Sequence, residues 1–341
     1  MTRFLFLVLL FSASIVSATR GMAQTGTVIV ANMSDNTATL IDASTGDVLA
    51  TLPTGPSPHE VAVTADGGTA VITNYGNQGM PGSTLTVIDV PSLSVVKTIS
   101  TGVHGRPHGI AYLPGDSLVA VTSEAGGVVL VVDIENEEVV RTIETKGRAS
   151  HMLSADATGR HVYTTNVLSG TISHIDAMEG TNKGVIDVAP MVEGLAVSPD
   201  GGHVWVGSNA RKTVNIVDVA QGAVVDSLSG FGFPYRMAVT PDGRHTLISD
   251  PVTGDVRVVD ARTFKELRRV TFPGIDPVDS AEIQGSVAPE GMVISPDSRF
   301  AFISLQGANR MAIVSIPDGK VVRTVVTGTW PDGIGYSTWE H

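Results

Sequence analysis

The chain has 341 residues, no cysteine, 16% charged residues and a formal net charge of −12. That length suffices for one large closed domain or two smaller ones, and the missing cysteines exclude disulfides, thiolate metal ligands, cysteine nucleophiles and covalent heme attachment. The acidic balance repels polyanions, which disfavours nucleic acid as a partner and favours a cationic substrate or a basic partner protein.

Met1 to Ala23 begins with a basic residue, Arg3, followed by an apolar run from Phe4 to Leu10 that extends to Val16, with small residues at Ala18 and Ala23. This is the pattern of a secretory signal, with cleavage expected after Ala23 or, alternatively, after Ala18. The run is shorter than the ~20 residues needed to span a bilayer. The expectation is therefore a mature chain without stable membrane insertion, in the bacterial periplasm or secreted. Losing Arg3 and Arg20 takes the formal charge from −12 to −14.

From Pro58 onward one phrase recurs: Pro, x, Gly, x, Ala, x, Ser, Pro, Asp, Gly. Copies begin at Pro58, Pro107, Ser150, Val192, Pro234, Pro289 and Pro331, and their second positions are separated by 49, 43, 42, 42, 55 and 42 residues. A period of ~40–45 residues is that of a four-stranded propeller blade, so seven copies predict an all-β, seven-bladed β-propeller occupying residues 24–341. Period-two patterning within a unit supports strands. In the fourth unit the strands are expected at Leu195 to Ser198, Val204 to Val206, Val214 to Val217 and Ala223 to Leu228, with Pro199, Asp200 and Gly201 making the first turn. The last copy has only its innermost strand before the chain stops at His341. Its three missing partners are expected at the other end, in Thr27 to Ala31, Thr37 to Ile41 and Asp47 to Leu52. The register agrees, because Asn32 precedes His59 by 27 residues, as Asn166 precedes Glu193. Sharing one blade between the termini closes the ring and removes free sheet edges.

The phrases SPDG at Ser198 to Gly201, TPDG at Thr240 to Gly243, VITN at Val71 to Asn74 and YTTN at Tyr163 to Asn166 are followed by V-x-V-x-D stretches such as Val214 to Asp218. In these the chain resembles the propeller repeat family named for a Tyr-Val-Thr-Asn motif. The resemblance covers nearly all of the mature chain and implies the fold. It leaves function open, because similar repeats occur in surface proteins, the nitrous oxide reductase propeller, subunits of periplasmic amine dehydrogenases, lactonase-like enzymes and a DNA-binding periplasmic protein. Function is therefore read from the site.

The second residue of each phrase stands where the chain enters an innermost strand, so seven such residues should ring the channel mouth: His59, His108, His151, Glu193, Tyr235, Glu290 and Asp332. Every one can ionise. Three imidazoles and a carboxylate on consecutive blades, His59, His108, His151 and Glu193, form a candidate metal set suited to copper, iron or zinc. Glu290 and Asp332 are candidates for orienting ligands or transferring protons, and Tyr235 with Arg236 for binding an anionic substrate or stabilising developing charge. The plain alternative is a hydrated polar funnel that binds an organic ligand or nothing. His161, His203 and His245 also share a column, after strand-connecting turns, and show that repeats multiply histidines without need of metal. The long connection Pro273 to Ala288, with Asp276, Asp279 and Glu282, and the Gly-rich connection Tyr75 to Gly82 are expected to flank the mouth.

Three functions follow as expectations: a metal-dependent oxidoreductase or hydrolase acting on a small molecule in the funnel, a non-catalytic periplasmic module partnering a dehydrogenase, and a lactonase-like hydrolase. The last fits less well, since calcium sites favour oxygen ligands.

Overall fold

A computed structural model of the chain describes residues 24–77, 79–279 and 283–341. The expected signal segment lies outside the described residues, as does Glu282. Among the described residues, no helix is long and apolar enough to cross a membrane.

The described residues form seven four-stranded antiparallel sheets, whose strands are numbered β1 to β28 in chain order. Each blade runs outward from an innermost strand that lines the central axis. These are β4 (Pro58–Val63), β8 (Pro107–Tyr112), β12 (Ser150–Ala155), β16 (Val192–Val197), β20 (Met237–Val239), β24 (Pro289–Ile294) and β28 (Pro331–Ser337). The last of these completes a blade with β1 (Thr27–Asn32), β2 (Thr37–Asp42) and β3 (Val48–Pro53), in the order β28-β1-β2-β3. Val28 faces Tyr336 and Val30 faces Ile334 across that junction. The fold is thus the expected seven-bladed propeller, with its closing blade shared between the two ends of the chain.

Short side chains fix the turns. In SPDG the Ser198 hydroxyl donates to Asp200 Oδ1 at 2.5 Å and accepts from the His203 amide at 2.9 Å, while Gly201 takes φ +69°. Thr240 with Asp242 and Ser295 with Asp297 repeat the lock. The aspartate ending the third strand makes the next turn: Asp133 accepts from the Asn136 amide at 2.9 Å, and Asp218 from Gln221 at 2.8 Å. The asparagine ending the second strand ties it to the third, as Asn166 Nδ2 donates to Thr171 Oγ1 at 3.0 Å and Ser173 Oγ at 2.8 Å. Asn32 and Asn74 do the same in their own blades.

The core is not one mass. Seven apolar clusters fill the seams between neighbouring blades, for example Val71 and Leu85 against Val121 and Leu130. The seam that closes the ring draws on both ends of the chain, packing Val28, Ile41 and Ile334 against Phe302 and Met311. Because blades pack on both sides, second and third strands are buried on both faces, as in VVLVVD at Val128–Asp133. Clean period-two alternation survives in outermost strands such as Thr181–Asp187, whose outer face meets solvent.

Candidate functional site at the channel mouth

The seven hub residues lie where the sequence places them, at or just before the start of each innermost strand. Backbone approach makes this crowding possible. One position further along, the column reads Glu60, Gly109, Met152, Gly194, Arg236, Gly291 and Gly333. A Cβ at Gly333 would lie 1.9 Å from the His59 carbonyl oxygen, and one at Gly291 2.1 Å from that of Asp332. Glycine at these two positions therefore lets successive strands touch. With glycine on both intervening blades, no side chain of this column separates Arg236 from Glu60, and the two meet across the mouth. Arg236 Nε and Nη2 donate to Glu60 Oε1 at 3.0 and 2.8 Å, and Asp332 Oδ2 stands 3.9 Å from Nη2.

The three histidines come together but differ in state. His108 is sandwiched, with ring centroids 4.6 Å from His59 and 3.7 Å from His151. It is 1% exposed and its Nδ1 has no hydrogen-bond partner. Burial, reinforced by its neighbours His151, His59 and Arg236, holds its pKa well below the usual histidine range, so the ring is neutral. His151 is the opposite case. Nδ1 lies 2.7 Å from Glu124 and Nε2 2.7 Å from Glu193. Burial opposes its charge, but those two carboxylates outweigh it and push the pKa up to about 9. It is an imidazolium with both nitrogens committed. His59 Nδ1 lies 2.6 Å from Asp332 Oδ2, a carboxylate–imidazole pair that fixes the ring and leaves Nε2 as its other nitrogen.

Two of the four candidate ligands, His151 and Glu193, are paired with each other. Among the described residues, no group of three or more His, Asp or Glu is arranged to hold a metal ion. Both nitrogens of His151 are paired, with Glu124 and Glu193, His59 is paired through Nδ1 alone, and His108 Nδ1 has no partner. Arg236, a sequence candidate for binding an anion or stabilising developing charge, is paired with Glu60 and lies near Asp332. Glu193 and Asp332 remain ionised, their carboxyls held below the usual range although burial opposes it, because His151 and Arg236 respectively lie beside them. Tyr235 lies under the Arg236 guanidinium, 4.1 Å from its ring centre. Burial, offset in part by Arg236, raises its phenol pKa well above the ordinary range. Beside it a recess of about 250 Å³ opens between Met33, Phe233, Tyr235, Glu290 and Gln306.

Three further side chains at the mouth were not singled out from the sequence: Glu60, Tyr75 and Glu124. Tyr75 donates its hydroxyl to Glu124 at 3.0 Å and sets its ring edge-on to His59 and His108. Burial raises its pKa to about 12. Tyr75 and Glu124 belong to the column at the end of the second strand, Met33, Tyr75, Glu124, Val167, Asn209, Pro251 and Gln306, where Tyr75 lies within its strand and the others just after theirs. Its variability, amid otherwise uniform repeats, was the available signal. Both long connections reach the mouth, through Tyr75 in one and Ile283 in the other. His161, His203 and His245 begin second strands at the opposite end of the sheets.

Residues 114–341 match the model of the family described as the cytochrome D1 heme domain. The chain belongs to that family. Among solved structures, this cytochrome D1 heme domain protein is similar to hydrazine synthase of Kuenenia stuttgartiensis, at 20% identity and a TM-score of 0.72 over 85% of this chain and 92% of that one. It is also similar to a protein of unknown function from Desulfotomaculum acetoxidans DSM 771, at 15% identity and a TM-score of 0.74 over 92% of this chain and 99% of that one. These likenesses show the fold. No curated protein matches the chain.

The family description implies a heme, and the residues at this mouth do not fit one. Imidazole and phenol rings packed 3.7 to 5.2 Å apart occupy the space around the nitrogen donors. The adjoining recess of about 250 Å³ is smaller than the ~300–1,000 Å³ typical of organic ligand sites. Five carboxylates, Glu60, Glu124, Glu193, Glu290 and Asp332, face a group that brings carboxylates of its own, and Arg236 is already paired. A larger groove of about 590 Å³ beside Arg269, Lys320 and Arg323 is lined by no His, Met or Tyr.

Proposed function

We propose that this protein is an exported, periplasmic, metal-dependent propeller that binds one first-row transition metal ion, copper, iron or zinc, at the mouth through His59 and His108, beside a small-molecule recess. The observation that carries the reading is His108 Nδ1. A buried polar atom without a partner costs about 1–3 kcal/mol, and a neutral imidazole is the form that ligates metal. His59, oriented by Asp332, supplies the second nitrogen, and the absence of thiolate leaves nitrogen and oxygen donors. The imidazolium of His151, clamped by Glu124 and Glu193, sets the charge beside the ion. The apolar N-terminal run supports export, and the family description supports redox chemistry over hydrolysis.

Calorimetric titration of the metal-free protein with Cu²⁺ or Zn²⁺ tests this. The expected result is a single site that His108→Ala abolishes and that Asp332→Asn, which removes the carboxylate orienting His59, weakens by about 10–100-fold. Equal affinity in wild type and His108→Ala would remove the metal reading and leave the mouth a binding or docking surface.

A further inference from the structure

The recess beside Tyr235 carries features that select a ligand class. Most of its wall is apolar or aromatic: Met33, Phe233, Tyr235, Val252 and Ile283. Two polar side chains break that wall, Glu290 and Gln306, which are 5% and 3% exposed. Gln306 Oε1 is buried without a hydrogen-bond partner, an acceptor that calls for a donor. Around the Tyr235 phenol at the recess wall stand Arg236 and three carboxylates, Asp332, Glu290 and Glu193, and Arg236 is also paired with Glu60, so carboxylates outnumber the one cation beside this wall. An anion entering here meets net negative potential, and an apolar molecule leaves Gln306 unpaired.

We infer that this recess binds a small primary ammonium ion with a short apolar body, its –NH₃⁺ group donating to Glu290 and Gln306 Oε1 and its body lying against Phe233, Met33 and Ile283. The volume, about 250 Å³, limits the ligand to one smaller than drug-sized molecules. The face of Tyr235 is already covered by Arg236, so the carboxylate and amide oxygens take the charged end. The inference shares with the proposed function the reading of the mouth as a ligand site, and needs no metal.

The test uses three probes of one shape and different charge, n-butylammonium, butan-1-ol and butyrate. Their binding to the full mature protein, as isolated and after chelator treatment, is followed by ligand-observed NMR. Butylammonium is expected to bind at least about tenfold more tightly than butanol, with butyrate showing no binding. Glu290→Gln should remove the preference for the cation. Val252→Phe fills the recess from a side chain that is 50% exposed, so the fold is retained, and it should abolish binding. Equal binding of the three probes, or butylammonium binding unchanged in Val252→Phe, overturns the inference. Glu290-dependent binding of butylammonium to a protein that takes up no metal sustains this inference while the metal reading fails. Metal uptake with indistinguishable probes has the reverse meaning.

Discussion

Removing the Glu60 carboxylate isolates the ion pair that bridges the mouth. Arg236 is 3% exposed and makes two hydrogen bonds to Glu60 Oε1, at 3.0 and 2.8 Å, with Asp332 more distant at 3.9 Å. In Glu60→Ala the guanidinium stays buried with one remote counter-charge, and breaking such a pair costs about 3–5 kcal/mol. Asp332 can shift toward it, which places the expectation near ~3 kcal/mol. Unfolding entropy of about 2.1 cal/mol/K per residue gives roughly 0.7 kcal/mol/K for a chain of this length, so Tm should fall by about 4 °C. The assay is differential scanning calorimetry of wild type, Glu60→Ala, Arg236→Met and the double variant Glu60→Leu/Arg236→Met. Each single change should destabilise, and the double variant, which replaces both charges by apolar groups, should recover most of the loss. A Glu60→Ala protein melting within about 1 °C of wild type, or a double variant as unstable as the sum of both singles, would refute the reasoning.

Gly333→Ala places a Cβ 1.9 Å from the His59 carbonyl oxygen, where only backbone can yield; a loss of about 3 kcal/mol or more is expected in urea unfolding, whereas Gly184→Ala, whose Cβ meets nothing within 4 Å, should change stability by less than about 0.5 kcal/mol. Deleting residues 332–341 removes most of β28, opens the edge of β1 and strips Asp332 from His59; loss of the cooperative melting transition by circular dichroism is expected, and a trimmed protein that still melts cooperatively would contradict ring closure. His174 is half-buried, and burial together with His161, 3.1 Å away, lowers its pKa below the usual 6.5. The unfolded chain therefore takes up this proton first as pH falls, so the stability linked to His174 is full above about pH 6.5 and declines below it. Histidine-resolved NMR titration should place its midpoint below 6.5 and move it upward in His161→Gln.

The blades, their number and the seam between the termini were legible because each rests on a local device that repeats: a Ser/Thr–Asp turn, a strand-ending Asn, a glycine where strands touch. The hub ring was legible for the same reason, since one column of one phrase names all seven residues. The states of those residues were not. His59, His108 and His151 look alike in sequence, and only their surroundings make one a carboxylate-oriented ring, one a neutral orphan and one a doubly clamped cation. Glu124 sets the last of these from a different column of a neighbouring blade. Arg236 read as a free cation because Glu60 lies 176 residues away in sequence. Pairings of this kind depend on ring closure, which no local pattern records.

The most direct test of the account is the metal content of the mature protein, purified without a histidine tag and measured by elemental analysis beside a His59→Ala/His108→Ala variant. The expected result is about one copper, iron or zinc ion per chain in the wild type and none in the variant. No metal in either protein, even after reconstitution, would contradict it.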